Sequence, residues 1–166
     1  MNRPPAEFKR LNVEDLRLFA ADCLKAAGML PAHAEELAQL LSNSDLRGVR
    51  SHGTRQIAGY CKSLREGRVN PTPEIETVEE TETSVLIDGG GGLGYWPMMR
   101  AAEKAIEKAK KTKVAIGATR HHGHYGSAGH YVRRAMAESC TAFSVQGAHP
   151  AHFGEGGGNK GQSSAY

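Results

Sequence analysis

The sequence predicts an α/β protein in which an N-terminal helical hairpin is followed by a mixed or parallel sheet with crossover helices. Two apolar stripes of helical period come first, and β-branched runs alternate with helical patterns after them. The glycine- and serine-rich tail, residues 154–166, ends without a closing element. Because the predicted strands are too few to cover the predicted helices, we expect an incomplete domain and a chain that is part of a longer protein.

The first predicted segment, residues 1–70, is helical. After an N-terminal arm, Asn12 can cap a helix, and Gly28 is the kind of residue that ends one. Pro31 fits the first turn of a second helix, which is predicted to end where a polar run begins at Ser42. These two helices, joined by a tight turn, form the predicted hairpin.

The second predicted segment, residues 71–166, is of the α/β type. A third short helix, closed by Gly67, and an extended proline-containing connector lead into it. Residues 75–78 and 84–87 are β-type runs separated by polar residues. This pattern predicts a β-hairpin.

Helical and β-type patterns alternate after this hairpin. In chain order they predict a helix over 95–111, a strand over 114–118, a helix over 127–138 and a strand over 141–145. A strand–helix–strand unit implies a parallel pair of strands. The loop after the first strand of that unit would then lie at a carboxyl end, where α/β sheets place ligand chemistry.

Composition excludes several classes of protein. The formal net charge of the 166 residues is only +3, and basic residues alternate with acidic ones, so we expect no nucleic-acid partner. No apolar run approaches the length of a membrane span, and no signal peptide is recognisable at Met1, so we expect no membrane segment. The three cysteines are far apart and form no zinc-type or redox pair, which favours reduced thiols and a cytoplasmic location.

Two segments rich in histidine, arginine and glycine carry the candidate chemistry. The first, residues 45–60, holds His52 among several arginines, and the second, residues 120–126, holds three histidines. Imidazoles titrate near neutral pH, and guanidiniums bind carboxylates through paired hydrogen bonds. These segments predict a site that handles protons and anions.

The glycine-rich run, residues 89–94, fits the spacing G-x-G-x-x-G between a predicted strand and a predicted helix. Four consecutive glycines match almost any glycine pattern, however, and the next strand ends in Thr119 and Arg120 rather than in an acidic residue. We therefore interpret the run as a structural turn and not as a pyrophosphate-binding loop.

The histidines could also be read as a metal cluster made of His121, His122, His124 and His130. No carboxylates or thiolates stand at ligand spacing beside them. We expect no metal.

Several motifs together resemble one known family. They are Asp45-Leu46-Arg47-Gly48, Ser51-His52-Gly53, Tyr60, Gly67-Arg68-Val69-Asn70-Pro71, Asp88-Gly89 with Gly92-Leu93-Gly94, and His124 to Tyr131. In this order and spacing, from about Leu11 to Pro150, the chain resembles the malate/L-lactate dehydrogenase family. That family also holds ureidoglycolate and sulfolactate dehydrogenases, and it is unrelated to the ordinary Rossmann lactate dehydrogenases.

The resemblance implies the roles of particular residues. His124 would be the proton donor and acceptor, with His52 as a second catalytic residue. The substrate would be lined by Ser51, His52, Arg55, Gln56, Tyr60 and Arg47. The cofactor would be NAD or NADP, next to His124 and to Ala148, which stands where the family has a residue near the nicotinamide.

The resemblance also implies a homodimer when the protein is full length, and a small anionic 2-oxo or 2-hydroxy acid as substrate. One departure bears on that substrate. The family usually has arginine four residues after the first histidine, and here that position is Gln56, with Arg55 one residue earlier. We expect Arg55, alone or with Arg47, to take over the binding of the carboxylate.

We therefore expect the N-terminal part of an NAD(P)-dependent oxidoreductase. It would transfer a hydride between nicotinamide and a 2-hydroxy or 2-oxo acid, with protonated His124 supplying the proton. Two alternatives stay open: a catalytically inactive fragment or binding module of this family, and a small histidine-rich metal-binding protein.

Overall fold

Helices come first along the chain and a small sheet follows. The computed structural model describes residue 7 and residues 9–146. The helices are α1 (Val13–Ala26), α2 (Pro31–Leu46), α3 (Ile57–Arg65), α4 (Tyr95–Thr112) and α5 (Gly129–Ala137), and two 3-10 turns, Arg50–His52 and Thr54–Gln56, lie between α2 and α3. The strands are β1 (Glu76–Glu80), β2 (Ser84–Asp88) and β3 (Ile116–Arg120).

The predicted hairpin of α1 and α2 is confirmed. The Asn12 side chain accepts a hydrogen bond from the Glu14 amide at 2.8 Å and so caps α1. Gly28 ends the helix with a φ of +98°, a conformation that favours glycine. Leu24 and Leu37 are fully buried where the two helices pack.

Helix α2 is longer than predicted. It continues to Leu46 instead of ending at Ser42. The hydroxyls of Ser42 and Ser44 donate to helix carbonyls, Ser42 to Gln39 at 2.9 Å and Ser44 to Leu40 at 3.1 Å. Because these bonds satisfy both hydroxyls, buried serines are compatible with a continuing helix.

The sheet has three strands in the order β1-β2-β3. Strands β1 and β2 pair antiparallel, which confirms the predicted hairpin, and β2 and β3 pair in parallel with α4 as the crossover. The last register pair, Asp88 with Arg120, marks the carboxyl ends of both parallel strands. The loop that carries His124 begins at this edge.

The predicted pairing of residues 114–118 with 141–145 is wrong. Residues 141–146 form no strand in the described part of the chain, and the parallel neighbour of β3 is β2. Phe143 and Val145 are 71% and 58% exposed. Their β-type side chains are not packed against a covering layer, and β propensity without such packing does not make a strand.

The main core joins residues from both predicted segments. Leu93, which lies just before α4, and Tyr95, its first residue, lie in the same cluster as Leu24 and Leu37 of the helical hairpin. Among the described residues, no helix is both long and apolar enough to span a bilayer.

Candidate active site

Side chains from the 3-10 turns, from α3 and from α4 meet His124, which lies in the loop after β3. The His124 Nδ1 lies 2.6 Å from the Tyr60 hydroxyl, which lies 3.0 Å from the Tyr95 hydroxyl. The imidazole of His52 stacks on that of His124, with ring centroids 5.4 Å apart and an interplanar angle of 25°. The structure therefore brings His52, Tyr60 and His124 together, as the sequence predicts, and it adds Tyr95.

The backbone of the histidine loop is fixed by the glycine-rich run. The Gly94 amide donates to the His124 carbonyl at 3.0 Å, and the Gly123 amide donates to the Gly92 carbonyl at 2.8 Å. A Cβ on Gly94 would lie 2.5 Å from His122 Nδ1, so only glycine allows this close approach. The glycine-rich run therefore fixes the position of the His124 backbone.

The amides of the glycines in this run already have protein acceptors. Those of Gly89 and Gly91 donate to the carbonyls of Arg120 and His121, and that of Gly90 donates to Asp88 Oδ1 at 2.9 Å. The Gly92 amide donates to the Gly89 carbonyl, closing a turn. These bonds support the interpretation of the run as a structural turn, because a pyrophosphate-binding loop needs amides free to donate.

Burial keeps His124 neutral in this structure. It lowers the pKa of His124 to about 4, and the nearby His52 acts in the same direction. Burial likewise lowers the pKa of His52, and it raises that of Tyr60 to about 12. The protonated His124 expected from the sequence is therefore scarce at neutral pH in the absence of substrate.

The segment that carries His52 is held by its own neighbours. The Ser51 hydroxyl lies 2.9 Å from His52 Nδ1, and the Gln56 amide donates to the Ser51 carbonyl at 2.6 Å. Gln56 thus braces the backbone beside His52. Arg55 is exposed, and its guanidinium makes no hydrogen bond or ion pair with any described residue.

Asp45 has a structural role that the sequence did not reveal. Its Oδ2 accepts from the amide of Thr54 at 2.9 Å and from the Thr54 hydroxyl at 2.6 Å. Gly53 lies so close that a Cβ there would be 1.8 Å from Asp45 Oδ1. The end of α2 therefore anchors the two 3-10 turns, a contact that joins two separate motifs of the resemblance.

His130 forms a second buried polar contact. Its Nε2 lies 3.2 Å from the Ser44 hydroxyl, and since Ser44 gives its only hydrogen to Leu40, Nε2 of His130 must be the donor. Burial first, and then Arg133, Arg47 and His52, lower the pKa of His130 to about 4. Arg47, exposed and bonded to the Asn43 carbonyl, thus lies close enough to add positive charge near the histidines.

The remaining histidines of the loop point elsewhere. The ring of His121 lies 3.0 Å from Asp88 Oδ1, and that of His122 lies 2.8 Å from the Thr119 hydroxyl. No group of three or more potential metal-binding side chains is assembled in residues 9–146. The predicted absence of a metal stays a prediction, and Ala148, the predicted cofactor neighbour, lies outside the described residues.

The lowered pKa values of His124 and His130 predict that the protein loses stability in mild acid. The unfolded chain takes up these protons near pH 6.5, whereas folded His124 and His130 do so only near 4. Stability is therefore full above about pH 6.5 and falls as pH drops towards about 4, by up to roughly 3 kcal/mol per histidine. Urea unfolding across this interval measures the loss, and His130→Asn should remove about half of it. A free energy of unfolding that stays level over the interval would contradict the prediction.

Comparison with known proteins gives the relatives of this fold and site. The model of the malate/L-lactate dehydrogenase family matches residues 11–161. The L-sulfolactate dehydrogenase of Methanocaldococcus jannaschii is 35% identical over 150 residues, covering 90% of this chain and 44% of that protein. The ureidoglycolate dehydrogenase of Escherichia coli K12 is 26% identical over 136 residues, covering 82% of this chain and 39% of that protein.

Solved structures agree. The sulfolactate dehydrogenase of M. jannaschii superposes with a TM-score of 0.72 at 37% identity, covering 77% of this chain and 37% of that one. The malate dehydrogenase of Entamoeba histolytica superposes with a TM-score of 0.77 at 28% identity, covering 84% of this chain and 39% of that one. The chain thus spans less than half the length of these relatives. In motifs, fold and family model alike, the chain belongs to the malate/L-lactate dehydrogenase family.

Proposed function

We propose that this chain supplies the substrate and acid/base side of an NAD(P)-dependent oxidoreductase acting on a small 2-hydroxy or 2-oxo acid. The observation that carries the proposal is the placement of His124 at the carboxyl edge of the parallel strands, stacked on His52 and bonded to Tyr60. The relatives' names, malate, lactate, sulfolactate and ureidoglycolate dehydrogenase, point to the same class of substrate.

The described residues fit the nicotinamide end of such a cofactor rather than its pyrophosphate. The glycine amides of the run all donate to protein acceptors, as described above, whereas Nε2 of His124 has no hydrogen-bond partner among the described residues. The hydride of the reaction is supplied by the reduced nicotinamide when it is bound. We propose His124 and Ala148 as its neighbours.

His124 delivers a hydrogen from Nε2 to the oxygen that becomes the hydroxyl of the product, and the reverse reaction returns it. His52, held through Nδ1 by Ser51, has Nε2 left to donate to the oxo or carboxylate oxygens. Arg133 and Arg47 place positive charge near His130, where they add to the effect of burial in lowering its pKa. This positive charge favours an anionic substrate.

The activity assay follows oxidation of NADH and NADPH by the complete protein with a panel of 2-oxo acids, including oxaloacetate, pyruvate and sulfopyruvate. Reduction of at least one of them is the expected result. Tight binding of such acids without any turnover would contradict the proposal and favour the inactive binding module. For the complete protein we also propose a homodimeric state, which sedimentation tests, and a cytoplasmic location.

Arg55→Ala is expected to raise the Michaelis constant for the 2-oxo acid about tenfold or more, because the guanidinium forms charge-assisted bonds with the carboxylate. The exposed Arg55 has no competing partner among the described residues, which leaves it free for this role. Steady-state kinetics measure the effect, with Arg65→Ala as a control on the same stretch of chain. Normal substrate binding in Arg55→Ala, together with weak binding in Gln56→Ala, would contradict the prediction and favour a neutral or amide-bearing substrate.

A further inference from the structure

Two buried phenols form a chain of hydrogen bonds that begins at Nδ1 of His124. The Tyr60 hydroxyl lies 2.6 Å from His124 Nδ1 and 3.0 Å from the Tyr95 hydroxyl. Tyr60 is 6% exposed and Tyr95 only 1%. Among the described residues, the Tyr95 hydroxyl has no hydrogen-bond partner other than Tyr60. The chain of hydrogen bonds therefore ends inside the protein.

The number of hydrogens sets the direction of these bonds. Tyr95 can satisfy its buried hydroxyl hydrogen only by donating it to Tyr60. Tyr60 then donates to Nδ1, so that neutral His124 carries its own hydrogen on Nε2. A hydrogen on Nδ1 would leave one buried hydroxyl hydrogen without an acceptor, which is unfavourable.

Resting on the proposed function, we propose that the Tyr60–Tyr95 pair is a proton relay for His124. As Nε2 gives its hydrogen to the developing alkoxide of the substrate, Nδ1 takes the hydroxyl hydrogen of Tyr60. The Nε2–H and Tyr60 O–H bonds break, and the substrate O–H and Nδ1–H bonds form. The negative charge passes from the alkoxide to the Tyr60 oxygen, which the Tyr95 hydroxyl stabilises by donating to it.

His124 is neutral before and after this step. When the product leaves, Nε2 takes a proton from water and Tyr60 recovers its hydrogen from Nδ1, which restores the starting state. Tyr95 does not touch the substrate in this scheme, and it keeps its own hydrogen while donating a hydrogen bond to the Tyr60 oxygen. It is a positioning residue that acts through Tyr60.

The electrostatics of the site support a relay. Because burial lowers the pKa of His124 to about 4, an imidazolium is scarce at neutral pH. Burial raises the pKa of Tyr60 to about 12, and the hydrogen bond from Tyr95 acts in the opposite direction. An alkoxide is a stronger base than a phenolate, so the hydrogens move towards the substrate.

Among the described residues, Tyr60 is the group hydrogen-bonded to Nδ1 of His124, so it is the available source of that hydrogen. The titratable and charged groups on the elements packed around His124 are His52, Tyr60, Tyr95 and His130, with Arg47 and Arg133 beyond His130. Among the described residues, no carboxylate is hydrogen-bonded to His124 or His130. The neighbouring His52, like burial, lowers the pKa of His124 and so disfavours an imidazolium there, which again favours the phenols.

The first test needs no substrate. In the complete protein labelled with 15N-histidine, long-range proton–nitrogen NMR distinguishes the two tautomers of His124. The expected result is a hydrogen on Nε2, with Nδ1 unprotonated, at neutral pH. A hydrogen on Nδ1 overturns the relay, whatever the activity.

The second test uses Tyr95→Phe, with Tyr131→Phe as the matched control. Tyr131 is also buried, and its hydroxyl donates to the carbonyl of Tyr125 in the same loop, without bonding His124. Tyr95→Phe should lower kcat about tenfold with KM within about twofold, because the Tyr60 phenolate loses its donor. Tyr131→Phe should leave kcat within about twofold. Equal losses in the two variants overturn the relay.

The third test counts the moving protons. In mixtures of light and heavy water, the rate of the reduction step should depend on deuterium content along a curve, since two hydrogens move together. In Tyr60→Phe the same plot should be straight. A straight plot for the unaltered protein overturns the relay alone, whereas failure to reduce any 2-oxo acid overturns the proposed function and, with it, the chemical step.

Discussion

Replacing His124 with alanine is expected to lower turnover about a hundredfold or more, because the substrate oxygen loses the Nε2–H that becomes its proton, whereas His52 only holds the substrate by hydrogen bonds. Cofactor affinity should change little. Rate measurements under saturating substrate, with nucleotide binding measured separately, give the two quantities. The loss is expected in both directions of the reaction, since the same nitrogen gives and takes the hydrogen.

His121→Ala is the matched control for this variant. His121 precedes His124 in the same loop, but it is exposed and its ring lies against Asp88. Its removal should leave turnover within a few-fold of that of the unaltered protein. If His124→Ala instead kept nearly full turnover, His124 would not be the acid/base residue, and His122 would be examined next.

Replacing Gly53 with alanine is expected to destabilise the protein by about 2–4 kcal/mol and to remove most of its activity. The new Cβ would lie 1.8 Å from Asp45 Oδ1 and 2.4 Å from its Cγ. The carboxylate must then leave, and both of its bonds to Thr54 are lost. Because His52 immediately precedes Gly53, its ring moves from the face of His124. Denaturant unfolding and turnover measure the two effects.

Gly59→Ala provides the control, since no atom lies within 4 Å of a Cβ at that position in α3. There alanine should stabilise the helix by about 0.5–1 kcal/mol. The double variant Asp45→Ala/Gly53→Ala should lose less than the sum of the single losses, because the carboxylate that collides is gone. Additive losses would show that the clash is not the cause.

Local signals in the sequence were enough for much of the fold. The cap at Asn12, the stop at Gly28 and the β-type runs on either side of residue 80 depend on nearest neighbours along the chain, and the structure has each of these elements. The continuation of α2 past Ser42 was missed because its serine hydroxyls bond to helix carbonyls, which composition does not reveal.

The candidate site likewise contains residues that the sequence indicated and residues that only the structure shows. The sequence pointed to His52, Tyr60 and His124 through motifs, although Tyr60 and His124 are 64 residues apart. Tyr95, and the bond between Ser44 and His130, join elements by packing alone, and no local pattern signals them. The lowered pKa of His124 follows from its burial, so it too needed the structure.

The separation of the bonded groups along the chain also determines when the site can form during folding. The Ser44–His130 bond closes a loop of 86 residues, and the Tyr60–His124 bond closes one of 64. Closing long loops costs chain entropy before any contact repays it, so α1 and α2 can pair early, whereas the cluster around His124 must await the parallel pairing of β2 with β3. Local opening of that strand pair would therefore dismantle the histidine cluster while leaving the helical hairpin folded.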